Sequence, residues 1–326
     1  MSADDEDDMV WGRCEACLVH RPTEPLASDC CGSGCNPCVF DLYERDVAAW
    51  RKTCRMYHAD GVSETHQEPA GHQLQVTSSQ GDALSPDEYR SFKLQSIKHV
   101  SKDSAIYTFA LPENNRLNVG VGQHIILRYC IDGRSITRQY TPISPPDQPN
   151  SFDVLIKVYQ GGLMSGYIKQ WTEDDSIQWR GPYGDFIYKP NQYRRIIMLA
   201  AGTGIAPMLQ VIRQIVTNDE EDTFVRLLYA CRTYKDLLLR ETLNELTAFW
   251  NFTVLYALSQ DTAGNHSTSY GETFHYGRIN PDTLATETET STEDDTQVLI
   301  CGTKSFEKDM LKFLKQLDYK GEVYKF

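Results

Sequence analysis

The stretch IIMLAAGTGIAPMLQVIRQIV, from Ile196 to Val216, constrains the fold more than any other part of this chain. It is long and apolar enough to invite reading as a membrane span, yet Gly202, Gly204, Pro207, Gln210, Arg213 and Gln214 interrupt it. Such a run reads as a strand, a glycine turn and a helix, with Pro207 in the first helical turn, where its missing N–H leaves nothing unsatisfied. Met208, Val211, Ile212 and Ile215 recur at helical spacing and give that helix one apolar face. Strand-like runs at Ile196–Ala201, Phe224–Ala230, Phe252–Leu258 and Val298–Cys301 alternate with helical patterns, and a short last strand is expected at Glu322–Lys325. That alternation predicts a doubly wound parallel sheet over residues 191–326, with ligands at the carboxyl ends of its strands.

The preceding hundred residues have another rhythm. Short β-prone runs at Phe92–Ile97, Ala105–Leu111, His124–Cys130, Ile136–Thr141, Phe152–Val158 and Ser176–Arg180 are separated by Gly and Pro turns, with a helical insertion near Ser165–Trp171. Six strands of this kind predict an antiparallel barrel over residues 89–190. Residues 56–88, rich in Gly, His, Gln, Ser and Asp, read as a linker. Residues 1–55 hold seven of the ten cysteines, too local a cluster to be a disulfide framework for the chain.

Charge excludes one class of partner. Five acids in Asp4–Asp8 and five in Glu287–Asp295 account for most of the formal charge of −13, and both runs read as solvated segments. A mildly acidic body is a poor partner for nucleic acid. The amino terminus is acidic, lacks an apolar run and carries Ser2, so neither a signal peptide nor myristoylation is expected. A soluble, intracellular protein without a transmembrane segment is expected.

Four short motifs carry the chemistry. In RQYTPIS, Arg138 and Tyr140 lie on one face of a strand. Arginine suits a phosphate pair, and tyrosine offers a ring and a hydroxyl to a flat heterocycle; an ordinary exposed strand face would show the same pattern. GGLMS, Gly161–Ser165, follows a strand and opens a helical turn, which lets backbone N–H groups approach an anion. AAGTGIAPM, Ala200–Met208, and CGTKSF, Cys301–Phe306, both sit at predicted strand ends. GPYGDF, Gly181–Phe186, ends the barrel.

In this order the motifs resemble the ferredoxin–NADP reductase superfamily, and its cytochrome b5 reductase branch most closely. The resemblance spans residues 90–326 and implies an FAD-binding barrel followed by a pyridine-nucleotide domain. It implies that Arg138, Gln139, Tyr140, Thr141 and Ser144 hold the flavin and its phosphates, with Leu155 beside them. Gly161, Gly162, Leu163, Met164 and Ser165 hold the pyrophosphate. Lys157 binds nucleotide, and Gly202, Thr203 and Gly204 frame the nicotinamide together with Cys301 and Gly302. Lys157, Thr203 and Cys301 are then the residues nearest the reaction, Cys301 packing beside the nicotinamide without acting as a nucleophile, while Phe326 or Tyr324 stacks near the flavin. The implied reaction passes a hydride from NADH to FAD and then single electrons to a haem protein of cytochrome b5 type.

Three positions depart from the branch: Ala206 stands where threonine is usual, Thr303 where proline is usual, and Ser259 where an acid would accept from a ribose hydroxyl. Asp261 is a candidate replacement for that acid, and NADPH is less favoured than NADH because no Arg adjoins Ser259. Lys308, Lys312 and Lys315 share one helical face, either a docking patch for an acidic partner or simple solvated surface.

At the amino end, Cys14 and Cys17, then Cys35 and Cys38, form two Cys-x2-Cys pairs seventeen residues apart. That spacing suits zinc, with an iron–sulfur cluster or a packed set of reduced thiols as alternatives. The segment from Cys30 to Trp50 resembles the oxidoreductase-like amino-terminal domain, and Val39, Leu42, Tyr43, Val47 and Trp50 predict a short amphipathic helix. A second functional class stays open from the sequence: a nucleotide-sensing or metal-binding interaction protein with little turnover.

Overall fold

A computed structural model describes residues 17, 21–26, 37–59, 83–131, 134–262, 270–288 and 295–326. They fall into two compact units. The first contains the described amino-terminal residues and Arg128–Thr137. Its helix α1 spans Val39–Ala59, longer than the short helix expected, and starts where Asp41 accepts from the Cys38 N–H at 2.6 Å. Leu42, Trp50 and Cys54 are its buried positions, eight and four residues apart and therefore on one face. Trp50 and Cys54 pack with Cys17, whose carbonyl accepts from the Trp50 indole at 2.8 Å. Cys14 and Cys35 lie outside the described residues; among these, no group of three or more His, Cys, Asp or Glu side chains is placed to hold a metal.

The second unit contains 83–127 and 138–326. An antiparallel sheet is built from β1 (Arg90–Ser101), β2 (Ser104–Ala110), β3 (His124–Ile131), β4 (Arg134–Tyr140), β5 (Ser151–Lys157) and, after helix α2 (Leu163–Ile168), β6 (Ser176–Tyr183). Its order is β4-β3-β6-β1-β2-β5, and a bridge from Pro142, just past β4, to Val154 of β5 closes one edge onto the other. Alternating side chains of β2 and β5 turn Tyr107, Phe109, Phe152 and Val154 inward. Phe109 stacks on Phe152 at 5.1 Å and meets Trp179 edge-on at 5.2 Å, so the interior is aromatic and filled. The end of the expected linker is docked: Ala83 and Leu84 are buried, and Pro86 O accepts from Arg180 Nε at 2.8 Å and Tyr183 Oη at 2.6 Å. Backbone carbonyls make that attachment, which composition does not reveal.

A parallel sheet follows: β7 (Arg195–Ala201), α3 (Ile205–Val216), β8 (Phe224–Cys231), α4 (Arg240–Leu246), β9 (Phe252–Leu258), β10 (Glu272–Tyr276), α5 (Pro281–Thr288), β11 (Thr296–Cys301), α6 (Lys304–Gln316) and β12 (Glu322–Lys325). From Ile196 to Ala201 β7 is apolar because both sheet faces are covered, one by Met208 and Ile212 of α3, the other by Met310 and Leu314 of α6. β10 and α5 escape the sequence reading because they are short and weakly apolar. Glu287, counted above in a solvated acidic run, is instead nearly buried in α5. It holds Arg195 at 3.0 Å and Arg226 at 2.9 Å, and the paired guanidinium groups make that burial tolerable. The strand order is β10-β9-β8-β7-β11-β12, so the chain reverses direction across the sheet between β7 and β11, which places a crevice at their carboxyl ends. No helix among the described residues is long and apolar enough to cross a membrane.

Candidate functional site

Two of the predicted motifs meet at that switch point. Ala200 pairs in register with Cys301, the glycine turn Gly202–Gly204 follows β7, and Gly302 follows β11. A Cβ on Gly204 would lie inside the Cys301 carbonyl, 2.6 Å from its carbon and 3.0 Å from Gly302 N, so only glycine lets the two backbones touch. Gly202 needs glycine for another reason: its φ is +56°, while the space above it is open. Its carbonyl accepts from the Tyr229 hydroxyl at 2.9 Å, which fixes the turn, and Thr203 is half-buried within it. Burial, reinforced by the negative Glu307, pushes the Cys301 thiol up to about 12, so it stays protonated at neutral pH. Burial likewise pushes Cys231, at the end of β8, up to about 12.

The segment Arg138–Ser144 lies at the end of β4. Arg138 and Tyr140 occupy alternate positions on one strand face, with Gln139 between them. The Tyr140 ring meets Trp179 edge-on at 5.9 Å; burial holds its hydroxyl above the ordinary range, with the Arg138 charge acting the other way. Beyond Thr141 the chain is tied on two sides. Ile143 N–H donates to Asp153 O at 2.8 Å, and the buried Ser144 hydroxyl accepts from Asp153 N–H at 3.2 Å. Gln210 of α3 donates to Pro142 O at 3.0 Å and accepts from Gly122 N–H at 2.8 Å, while Arg213 donates to Ile143 O. Leu155 is buried in the core beneath.

Gly161, at φ +76°, and Gly162, the N-cap of α2, turn the chain from β5 into α2; a side chain at Gly161 would meet nothing within 4 Å. Met164 and Ser165 are buried, and the Ser165 hydroxyl accepts from Tyr159 N–H at 3.0 Å, while Leu163 is exposed. Lys157, at the end of β5, is ion-paired to Asp103 at 3.2 Å, and Asp103 also lies 3.4 Å from Arg232. Burial pushes the Asp103 carboxyl up, but Lys157 and the hydroxyls of Ser101 and Ser104 outweigh it and hold the pKa below the usual carboxylate range.

A cavity of about 710 Å³ opens here, lined by Tyr107, Lys157, Tyr159, Lys169, Trp171 and Arg232 among others. Trp171 Nε1 is a buried donor without a hydrogen-bond partner, and the surrounding cations outnumber Asp103. An aromatic, electropositive cavity of this size fits a phosphate-bearing heterocycle. Asp103, Trp171, Gln210 and Arg232 were missed because each looks like an ordinary turn, core or helix residue in sequence; only their partners mark them.

The terminal residue is placed by a strand-like bond from Phe326 N–H to Ile300 O at 3.0 Å. Its ring lies 5.0 Å from both Phe186 and Tyr324. His124, at the start of β3 with its ring 6.2 Å from that of Tyr183, has a buried Nε2 without a partner; burial pulls its pKa down to about 4, with Asp185 opposing. Asp261 accepts from Tyr234 N–H at 2.6 Å, and the Ser259 hydroxyl donates to Cys231 O at 3.3 Å, so both brace the turn after β8. Lys308, Lys312 and Lys315 are exposed on α6.

Comparison with known proteins agrees with this arrangement. The Oxidoreductase FAD-binding domain family matches residues 91–188, the Oxidoreductase NAD-binding domain family residues 198–312, and the family of Oxidoreductase-like protein, N-terminal, residues 17–59. A Homo sapiens protein named NADH-cytochrome b5 reductase-like is 41% identical over 96% of both chains. NADH-cytochrome b5 reductase 1 of Dictyostelium discoideum is 38% identical over 73% of this chain and 81% of its own. The cytochrome b5 reductase domain of Ulva prolifera nitrate reductase superposes with a TM-score of 0.66 at 25% identity, covering 76% of this chain and all of that one. The chain therefore belongs to the NADH-cytochrome b5 reductase family of FAD- and NAD-binding oxidoreductases.

Proposed function

We propose that this chain oxidises NADH through bound FAD and delivers the electrons one at a time to a haem protein of cytochrome b5 type. One observation carries the reading: the glycine turn abuts Cys301–Gly302 at the switch point, and the helix leaving that turn is hydrogen-bonded to the end of the flavin segment. Bound FAD would supply the hydride acceptor and the step from two-electron to one-electron chemistry. The remaining roles belong to the protein. Arg138 offers its guanidinium to the pyrophosphate, and the Gly161–Gly162 turn brings backbone N–H groups to it. Gln139, Tyr140, Thr141, Ser144, Leu155, Leu163, Met164 and Ser165 shape the flavin side. Lys157 meets coenzyme phosphate at the cavity, Thr203 orients the nicotinamide, and the protonated Cys301 packs against it and excludes water. Phe326 closes the flavin edge with Phe186.

Domain limits of 1–55, 56–88, 89–190 and 191–326 accompany this proposal. So does a zinc or iron–sulfur site on Cys14, Cys17, Cys35 and Cys38, supported by their spacing. NADH is the favoured coenzyme, on the strength of the relatives' names. Absorbance and metal analysis of the untreated protein, followed by anaerobic titration with NADH and NADPH, tests the whole reading. A yellow protein whose band at about 450 nm is bleached by NADH supports it. A colourless, metal-loaded protein would instead favour an interaction module with little turnover.

A further inference from the structure

We infer that Gln210 is a positioning residue that sets the separation between the two rings across which hydride passes; the inference rests on the flavin and coenzyme assignment proposed above. Gln210 is 7% exposed and spends both ends of its amide on backbone. Its oxygen accepts from Gly122 N–H at 2.8 Å and its nitrogen donates to Pro142 O at 3.0 Å. The partners fix the orientation, because an N–H requires the oxygen and a carbonyl requires the NH2.

Both partners lead into the site. Pro142 follows directly on Arg138–Thr141. Gly122 adopts φ +77°, and a Cβ there would sit 2.5 Å from the nearest atom of the Phe186 ring, which in turn packs on Phe326. On its own side, Gln210 belongs to α3, whose first residue follows Gly204, and Gly204 is seated on the Cys301 carbonyl. A helix is stiff and rises about 1.5 Å per residue, so six residues place the anchor about 9 Å from the turn it positions. One rigid rod thus holds the nicotinamide turn at its tip and the flavin strand and the terminal aromatic cluster at its second turn. Arg213, three residues on and on the same helical face, repeats the tie at Ile143 O.

Only an amide serves. Glutamate would accept from Gly122 but set a carboxylate oxygen against the Pro142 carbonyl; methionine would match the shape and leave a buried N–H and a buried C=O unanswered. The ties act on distance rather than on affinity, since neither reaches a ligand. A misplacement of about 1 Å between reacting atoms costs roughly a hundredfold in rate.

The test is anaerobic stopped-flow reduction of the FAD-loaded full chain by NADH, parent against Gln210→Met and Gln210→Glu. The expected result is a limiting rate of flavin reduction lowered roughly ten- to a hundredfold in both. The Kd for NADH should stay within about threefold, the FAD stoichiometry should be unchanged, and the isotope effect with 4-deuterated NADH should grow. A limiting rate within about twofold of the parent in FAD-loaded protein would overturn the inference, as would a defect confined to NADH or FAD affinity. Should the Gln210 variants not load FAD, Arg213→Met, which cuts only the second tie, decides by the same split. Failure of the underlying assignment shows separately, as a parent protein that NADH does not bleach.

Discussion

Gly204→Ala gives the sharpest test of how the crevice is built. Gly204 has an ordinary helical φ of −62°, so alanine brings no backbone strain, and the whole effect must come from contact. The new methyl would lie 2.6 Å from the Cys301 carbonyl carbon, whereas ordinary contacts begin at 3.4 Å. Because the carbonyl oxygen is nearer still, the two backbones must part by about 1 Å, and neither is the end of a flexible side chain that could swing away. Overpacking of this kind costs about 1–3 kcal/mol, or a fall in Tm of about 3–10 °C for a unit of this size. Parting the glycine turn from Cys301 by about 1 Å should slow reduction of the flavin by NADH roughly a hundredfold at saturating coenzyme. Gly202→Ala is the control. Its methyl would meet nothing within 4 Å, and only the φ of +56° opposes it, at about 1 kcal/mol. Stopped-flow reduction and thermal unfolding of both variants decide the matter. If Gly204→Ala reduces and melts like the parent, or Gly202→Ala proves the more damaging, the close approach of the two backbones is not what shapes the site.

Further outcomes follow from single groups. Arg138→Ala should lower FAD occupancy after dialysis, because the pyrophosphate loses its forked partner, and full flavin retention would remove that role. Cys301, half-buried and with its thiol pushed up to about 12, should resist iodoacetamide at pH 8 while the exposed Cys130 is labelled; equal labelling rates by mass spectrometry would contradict the protonated assignment. His124 sits at about 4 in the fold against about 6.5 unfolded, so the unfolded chain takes up the proton first as pH falls. Its contribution is whole above pH 6.5 or so and is lost towards pH 4, on the order of 2 kcal/mol. Denaturant melts at pH 7.5 and 4.5 should therefore show a shallower pH dependence for His124→Gln, and identical slopes would refute the burial argument.

Much of the reading was present in residue order. The apolar run Ile196–Ala201 of β7, the periodic face of α3 and the alternating β2 and β5 are local patterns, and the four motifs lie at strand ends because glycine and proline punctuate them. β10, α5 and the docked 83–88 segment were not readable in this way. Their stability comes from neighbours: Glu287 is buried because two arginines from other strands answer it, and Pro86 is held by carbonyl bonds that leave no compositional trace.

The amino-acid sequence alone determined two successive β and α/β regions, their order, and the motifs proposed to meet flavin and pyridine nucleotide, since helix and strand periodicity and backbone permissiveness are properties of short segments. The tertiary structure decided which of those segments touch. The seating of Gly204 on Cys301 and the amide of Gln210 joining α3 to the end of β4 link residues 97 and 68 positions apart in chain but side by side in space, and the cavity beside Lys157 gathers residues from Ile97 to Arg232. Such contacts depend on where packing brings the chain back, which no local pattern of side chains encodes.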